Sequence, residues 1–240
     1  MPKAPARRAL TEKRPFLLAS IVAALAFYYL RSGPWPELWF IPIKGAATAL
    51  LAVYAWLRHS SQDARLLAVM MLIAAAGDMV AEFDGTAAHL LYFGYHVVAL
   101  MLYLRHRRVM LTQSQKVAVV ALLLVPSAIL YFLNVDNGGG VVTVAYGLAL
   151  GGMAAGAWAS SFPRYRVGAG AVLFVAADLL YFASTGPLMG SAIPQIFIWP
   201  LAYLGQLLVA TGVMTTLRKR DPELKLVSSL DEILEQRRRR

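Results

Sequence analysis

The chain has 240 residues, of which 59% are hydrophobic and 15% are charged, and it contains no cysteine. Soluble domains carry about 25% charged residues, so this composition excludes an ordinary soluble globule, and the missing cysteine excludes disulfides, thiolate metal centres and a cysteine nucleophile. The formal net charge of +10 indicates either a nucleic-acid partner or the charge asymmetry of a membrane protein.

Apolar segments follow one another along the chain, separated by charged residues or by Pro and Gly. A helix needs roughly 20 mostly apolar residues to cross the hydrocarbon core of a bilayer. The first segment is followed by Tyr, Arg and Trp rather than by a small-residue cleavage site, which favours an anchor over a signal peptide. The sequence therefore predicts an all-α polytopic membrane protein with eight transmembrane helices, at about 16–31, 38–57, 66–82, 87–104, 117–133, 141–159, 167–184 and 193–217.

The basic residues indicate the orientation, because cytoplasmic loops collect Lys and Arg. With a cytoplasmic N-terminus, 21 of the 23 Lys and Arg residues fall on the cytoplasmic side. The exceptions are Arg31 in the first outer loop and Lys44 inside the second helix, whereas the outer loops carry Glu37, Asp84 and Asp136. We therefore expect an integral protein of the bacterial plasma (inner) membrane with both termini cytoplasmic, and no nucleic-acid partner.

Two regions are predicted, an eight-helix transmembrane domain over 1–217 and a basic cytoplasmic tail over 218–240. In the tail, Ser229 and Glu232 have the spacing of a capping box. An amphipathic helix held at anionic lipids is one interpretation and a solvated tail is the other. The apolar stripe of the predicted helix is Leu226, Leu230, Ile233 and Leu234.

A weak internal repeat relates the two halves of the chain. AAAGDMV around Asp78 is similar to FVAADLL around Asp178, and LYFGYHVVA from Leu91 is similar to AYLGQLLVA from Ala202. The matches suggest a parallel duplication of two four-helix halves, which would be related by an axis along the membrane normal. Short apolar stretches also match by chance, so coincidence stays open.

Polar residues inside a membrane are costly and commonly mark a functional cavity. At 1.5 Å per residue, five of them lie at similar depths, roughly 13 to 20 Å from the inner end of their helices. A common depth in five different helices predicts one buried polar site. Its members are Lys44, Asp78, His96, Asp178 and Gln206.

Each member also has a structural interpretation. Lys44 could extend to the outer surface or form a purely structural pair with an aspartate, and Asp78 could begin an acidic outer loop. His96 could be a hydrogen-bonded core histidine, and Gln206 could bridge helices. Asp178 has no charged residue within ten positions on either side, which makes it the strongest functional candidate.

Other residues near the helix ends are predicted to lie at the membrane interface. His89 is in the first turn of the fourth helix, and we expect it to be interfacial rather than catalytic. Aromatic residues near both interfaces are typical of membrane proteins. The predicted aromatic belt contains Tyr28, Tyr29, Trp35, Trp39 and Trp56.

Four motifs in the same order, and a looser fifth, resemble the YhhN-like lysoplasmalogenases, which are eight-helix membrane proteins. They are Lys44 in IPIKGAATALL, Gly77-Asp78, Asp178 in GAVLFVAADLL, the run Tyr203-Leu204-Gly205-Gln206 and, more loosely, His96 in YFGYHVVA. The chain departs from the family pattern at Gly45, Ala99 and Ala177, where the pattern has Pro, Tyr and Ser.

The resemblance implies cleavage of the vinyl ether bond of lysoplasmalogens, giving a fatty aldehyde and a glycerophospho-alcohol. It implies a lysophospholipid substrate, no metal and no organic cofactor. Proton transfer to the β-carbon and attack by water on the resulting oxocarbenium ion need an acid and an anionic partner. We expect the catalytic pair to be Asp78 and Asp178, and the substrate-binding residues to be Lys44, His96, Tyr203 and Gln206.

Within the catalytic pair, we expect Asp178 to be the general acid, and Asp78, near Lys44, to stabilise the cation and orient water. The reverse assignment stays open, as does phosphate binding by Lys44 or by basic loop residues. A proton-coupled small-solute carrier would place the same residue types at the midplane, and a non-catalytic membrane scaffold is a third hypothesis. The oligomeric state is undetermined.

Overall fold

The computed structural model describes residues 14–34, 36–134 and 140–220. These ranges contain eight α-helices and no β-strand, only an isolated bridge between Arg107 and Ser160, which confirms the all-α prediction. A 3₁₀ turn over Glu37–Trp39 precedes the second helix, and a π-helical turn over Arg164–Gly168 precedes the seventh. The helices are α1 (Arg14–Leu30), α2 (Phe40–Arg58), α3 (Gln62–Val80), α4 (Gly85–Arg105), α5 (Gln113–Asn134), α6 (Gly140–Ala159), α7 (Ala169–Ser184) and α8 (Ala192–Arg220).

Each predicted apolar segment coincides with one helix, with ends that agree to within four residues. The starts of α3 and α4 show how the sequence sets such boundaries. The Ser61 hydroxyl accepts a hydrogen bond from the backbone amide of Ala64 (3.2 Å), and Asp84 Oδ1 accepts one from the amide of Thr86 (2.8 Å). These side chains satisfy amide groups that a first helical turn leaves unpaired.

Six of these helices, α2 and α4 to α8, are long and apolar enough to cross a membrane. Helix α1 is apolar but has only 17 residues, and α3 carries three charged residues, Asp63, Arg65 and Asp78. The architecture is consistent with an integral membrane protein. Eight crossings and the duplication of two halves remain predictions, and the predicted tail helix lies outside the described residues.

Most helices pack against an antiparallel neighbour in sequence, but α4 packs mainly against α3 and α6 rather than α5, and α8 closes the bundle by packing against α1, α2, α3 and α7. Helices α7 and α8 approach most closely at Gly170 and Gly205. A Cβ atom on either glycine would lie 2.6 Å from the carbonyl oxygen of the other. Small residues permit this backbone contact, as is common between membrane helices, and the contact sets the position of Asp178 two turns further along α7.

Helix α5 lies at the periphery of the bundle. Its Val120, Leu124 and Phe132 side chains are exposed, which in water would form an unusually large apolar surface. Such a face is consistent with contact to the hydrocarbon of a membrane.

The antiparallel order gives the bundle two distinct ends. Helices α1, α3 and α7 finish, and α2, α4 and α8 begin, at what we call the cavity end. At the opposite end, which we call the loop end, Arg220 donates a hydrogen bond to His106 Nδ1 (3.2 Å), and His106 Nε2 lies 2.8 Å from Asp63 Oδ2. The candidate site lies at the cavity end.

Candidate functional site

A cavity of about 960 Å³ opens between the helices at the cavity end. Its volume lies in the range of small-molecule sites, which are mostly apolar with a few convergent polar groups. Aromatic and aliphatic side chains from α1, α2, α7 and α8 make up much of its wall. The charged residues that line it are Arg31, Lys44, Asp78, Glu82 and Asp178.

Asp78, on α3, is held through both carboxylate oxygens. Thr48 on α2 donates a hydrogen bond to Oδ2 (2.6 Å), and Tyr92 on α4 donates one to Oδ1 (2.7 Å). The Asp78 residue is only 2% exposed although it lines the cavity. Hydroxyl donors from two other helices compensate the loss of water that burial of a carboxyl entails.

Behind Asp78, the network continues to α8. Thr48 Oγ1 lies 2.9 Å from Gln206 Oε1, and Gln206 Nε2 is buried without a hydrogen-bond partner among the described residues. Thr48 has one hydroxyl hydrogen for two acceptors. If the amide oxygen and nitrogen of Gln206 are exchanged, Nε2 donates a hydrogen bond to the Thr48 hydroxyl, and Thr48 donates its own hydrogen to Asp78. Gln206 then orients the Thr48 hydroxyl and does not itself line the cavity.

Asp178, on α7, is held on one side only. The Tyr146 hydroxyl on α6 donates a hydrogen bond to Oδ2 (2.6 Å), and His96 Nε2 on α4 lies 3.4 Å from the same oxygen. Oδ1 has no hydrogen-bond partner among the described residues, and Asp178 lines the cavity. Asp178 therefore has a carboxyl oxygen that can meet a ligand without breaking an internal hydrogen bond.

Lys44, on α2, pairs with Glu82 rather than with Asp78. Lys44 Nζ lies 2.5 Å from Glu82 Oε1, in the turn after α3, and within 6 Å of the Phe27 and Trp199 ring centroids. The expected partnership of Lys44 with Asp78 is thus replaced by an ion pair at the cavity wall, supported by cation–π contacts. Glu82 follows Asp78 by four residues, and both side chains line the cavity.

The other predicted substrate-binding residues do not line the cavity. His96 is fully buried beside Asp178 and Tyr146, and Gln206 is buried behind Thr48. The Tyr203 hydroxyl lies 2.7 Å from Ser20 Oγ, which donates to the Ala47 carbonyl. His96 is therefore linked to the cavity through Asp178 and Gln206 through Thr48, and Tyr203 joins α8 to α1 and α2.

Several residues that the sequence did not single out belong to the site. Thr48, Tyr92 and Tyr146 supply the hydroxyl groups that hold the aspartates. His89, expected at the interface, lines the cavity, and its Nδ1 donates to the Gly85 carbonyl (2.5 Å). The sequence held a signal for His89 and Tyr92. Together with His96 they recur at intervals of three and four residues on α4, which places them on one face of that helix.

The family departures have local consequences in this chain. A Cβ at Gly45 would lie 2.4 Å from the Met79 side chain, so a larger residue there requires Met79 to move. Ala177 lines the cavity beside Asp178, and Ala99 is fully buried.

Among the described residues, no three His, Asp or Glu side chains converge in a way that could hold a metal ion.

Apolar helices that enclose two buried carboxyl groups beside one cavity define an all-helical protein, consistent with an integral membrane protein, that has an acidic pair at its candidate site. More specifically, the chain belongs to the YhhN family, whose model matches residues 39–213. The match confirms the resemblance drawn from the motifs. It covers α2 to α7 and most of α8, and so includes both aspartates but not α1. No curated protein and no solved structure matches the chain.

Proposed function

We propose that this protein is a membrane-embedded hydrolase that cleaves the vinyl ether bond of lysoplasmalogens, including the ethanolamine and choline forms. The products are a fatty aldehyde and a glycerophospho-alcohol. The observation that carries the proposal is that Asp78 and Asp178, from α3 and α7, line the same cavity. Membership in the YhhN family supports it.

The reaction begins with proton transfer. Asp178 protonates the β-carbon of the vinyl ether, the electron pair of the double bond forms the new C–H bond, and positive charge develops on the carbon–oxygen unit. A carboxylate close to such an oxocarbenium ion stabilises it, as in glycoside hydrolysis. Asp78, on α3, supplies that negative charge from the wall of the same cavity.

Water completes the cleavage. Water adds to the oxocarbenium carbon and returns a proton to Asp178, which leaves a hemiacetal. The hemiacetal collapses to the aldehyde while the glycerol oxygen takes up a proton and leaves as an alcohol. One vinyl ether and one water thus give one aldehyde and one alcohol, and the aspartates end in their starting state.

The cavity matches the two parts of a lysolipid. Phe27, Phe40, Phe174 and Trp199 provide apolar wall for a hydrocarbon chain, whereas the carboxyl groups lie where a polar linkage would react. Burial of a chain in such a wall contributes about 0.8 kcal/mol per CH₂ group. A single-chain lipid therefore has a binding energy that a small water-soluble ether lacks.

The direct test compares a lysoplasmalogen with its saturated ether analogue. Purified protein in a non-ionic detergent should release aldehyde from the vinyl ether only, because the saturated chain has no β-carbon that can accept a proton to form the cation. Asp63→Asn, which changes an aspartate at the loop end, serves as the matched control for Asp178→Asn. The proposal fails if wild-type protein releases no aldehyde, or if Asp178→Asn retains the wild-type rate.

A proton-coupled small-solute carrier is the second candidate, because carriers also place buried carboxyl groups at broken helices. Pro126 and Pro200 lie inside α5 and α8. The carrier predicts solute uptake into liposomes that follows an imposed proton gradient, without aldehyde formation. Aldehyde formation without gradient-driven uptake selects the hydrolase.

We also propose the orientation that the basic residues favour, with the cavity end facing away from the cytoplasm. The chain contains no cysteine, so single cysteines can report the side. Ser191→Cys, between α7 and α8, should react in intact cells with a membrane-impermeant maleimide. Ser114→Cys, in the first turn of α5 at the loop end, should react only after permeabilisation, and the opposite pattern would invert the orientation.

A further inference from the structure

The two basic residues that depart from the cytoplasmic pattern lie in the same place. Arg31 and Lys44 are the exceptions to the distribution of the 23 Lys and Arg residues, and both line the cavity. Orientation in the membrane does not account for cations on the predicted outer side. A ligand with negative charge would account for a cation there that has no acidic partner in the protein.

The two cations differ in their partners. Lys44 forms an ion pair with Glu82 at 2.5 Å, so its charge is compensated within the protein. Arg31 has no carboxylate within ion-pair distance among the described residues. Its Nη2 donates a hydrogen bond to the Gln195 carbonyl, and its guanidinium lies 4.8 Å from the centroid of the Tyr28 ring.

These contacts fix Arg31 without neutralising it. The carbonyl contact ties the turn after α1 to the first turn of α8, and the Tyr28 ring supports one face of the guanidinium. A guanidinium has five N–H donors, so donors remain for a ligand. Its planar arrangement of donors suits the paired oxygens of a phosphate.

We propose that Arg31 binds the phosphate oxyanion of the lysolipid headgroup at the outer end of the cavity. This inference rests on the proposed function and deepens it, because it assigns headgroup recognition to Arg31 rather than to Lys44. Arg31 follows the end of α1 and contacts Gln195 in the first turn of α8, whereas Asp78 and Asp178 lie inside α3 and α7 on the wall of the same cavity. Repulsion by the negative charge assigned to Asp78 directs the phosphate towards Arg31 and leaves the vinyl ether towards the aspartates.

Binding of uncleavable ligands tests this site separately from hydrolysis. The probes are a saturated 1-O-alkyl lysophospholipid, the matching 1-O-alkylglycerol without phosphate, and inorganic phosphate, each titrated into the full-length protein in a non-ionic detergent. Loss of a charged hydrogen-bond pair lowers affinity by about tenfold or more. Wild-type protein should therefore prefer the lysophospholipid over the alkylglycerol by at least about tenfold, and Arg31→Gln should abolish that preference.

Matched variants exclude a general loss of structure. Arg65→Gln, a change in an arginine that contacts Trp56 at the loop end, should keep the wild-type preference, and Arg31→Lys should keep part of it. All variants should elute as the same monodisperse species. If Arg31→Gln keeps the preference, or weakens both lipids equally, the assignment is wrong.

The inorganic phosphate titration separates a headgroup site from a site for free phosphate. Wild-type protein that binds inorganic phosphate as tightly as the lysophospholipid would contradict headgroup recognition. None of these ligands can be cleaved, so their binding is measured independently of the reaction. If they bind in the expected order but the protein does not hydrolyse the vinyl ether, the Arg31 site stands and the proposed reaction is rejected.

Discussion

Asp78 and Asp178 line the same cavity but are held in different ways. Both oxygens of Asp78 accept hydroxyl hydrogen bonds, from Thr48 and Tyr92. Asp178 accepts one strong hydrogen bond, from Tyr146, on a single oxygen, and its other oxygen has no partner among the described residues.

The difference supports a division of the proposed catalytic roles between the two aspartates. An oxygen that is already engaged must break a hydrogen bond before it meets a substrate atom, which costs about 1 to 3 kcal/mol for a buried group. Asp178 can approach the β-carbon without that cost, whereas both oxygens of Asp78 are held by hydroxyl groups. We propose the roles expected from sequence, with Asp178 as the acid, and the hydrogen bonding supports that proposal.

The largest effect is expected from Asp178→Asn. The amide keeps the shape and can still accept the Tyr146 hydrogen bond, but it cannot deliver a proton, so kcat for aldehyde release should fall roughly a thousandfold. Asp63→Asn at the loop end should stay within about twofold of wild type, since nothing there reaches the cavity. An equal loss in both variants would point to unfolding instead of chemistry.

Asp78→Asn should have a smaller but still large effect, roughly a hundredfold on kcat, because it removes the charge that stabilises the cation but leaves the acid. The lysolipid affinity should change little, since the effect lies in the transition state. A loss larger than that of Asp178→Asn would reverse the assignment of the two roles.

The tyrosines provide a finer comparison. Tyr146→Phe and Tyr92→Phe each remove one hydroxyl donor, and each should lower kcat by about tenfold, the value of one hydrogen bond to a charged group. Tyr146→Phe should have little further effect in the Asp178→Asn background, and Tyr92→Phe little in the Asp78→Asn background. Crossed pairs should combine additively, and strong coupling between Tyr92 and Asp178 would contradict two separate environments.

The smallest effect is expected at the Lys44–Glu82 pair, which is partly exposed, with 13% and 38% of the two side chains accessible. Exposed ion pairs contribute at most about 1 kcal/mol. Lys44→Gln and Glu82→Gln should each change kcat/KM by about fivefold or less, and the double variant should be no worse than either. If Lys44→Gln alone lowered kcat/KM as much as Asp78→Asn, Lys44 would act directly on the Asp78 carboxyl group rather than through its pair with Glu82.

The sequence predicted the helices and the aspartates better than their partners. Apolar length fixes where helices begin and end, and a lone Asp178 in an apolar helix is conspicuous, so both were visible in the sequence. The rotation of each helix about its axis was not visible, because helices that are apolar on all sides show no polar face to orient them. Thr48, Tyr92 and Tyr146 were therefore missed, since hydroxyl residues in such helices also serve as simple packing residues.

Glu82 was missed for a related reason. It lies in the turn after α3, among acidic residues that also suit an outer loop. The fold brings the end of α3, which Glu82 follows, next to the start of α2, which carries Lys44. The same limit explains why Arg31 appeared merely as an exception in the charge pattern until the cavity placed it beside the candidate site.

Hydrolysis of a lysoplasmalogen in heavy water tests the central claim most directly. If Asp178 protonates the β-carbon, aldehyde formed by the wild-type protein should carry one deuterium at the carbon next to the carbonyl, as detected by mass spectrometry, and Asp178→Asn should form almost none. Aldehyde that forms enzymatically without deuterium at that carbon would contradict proton transfer as the first step, and with it the assignment of the aspartate pair.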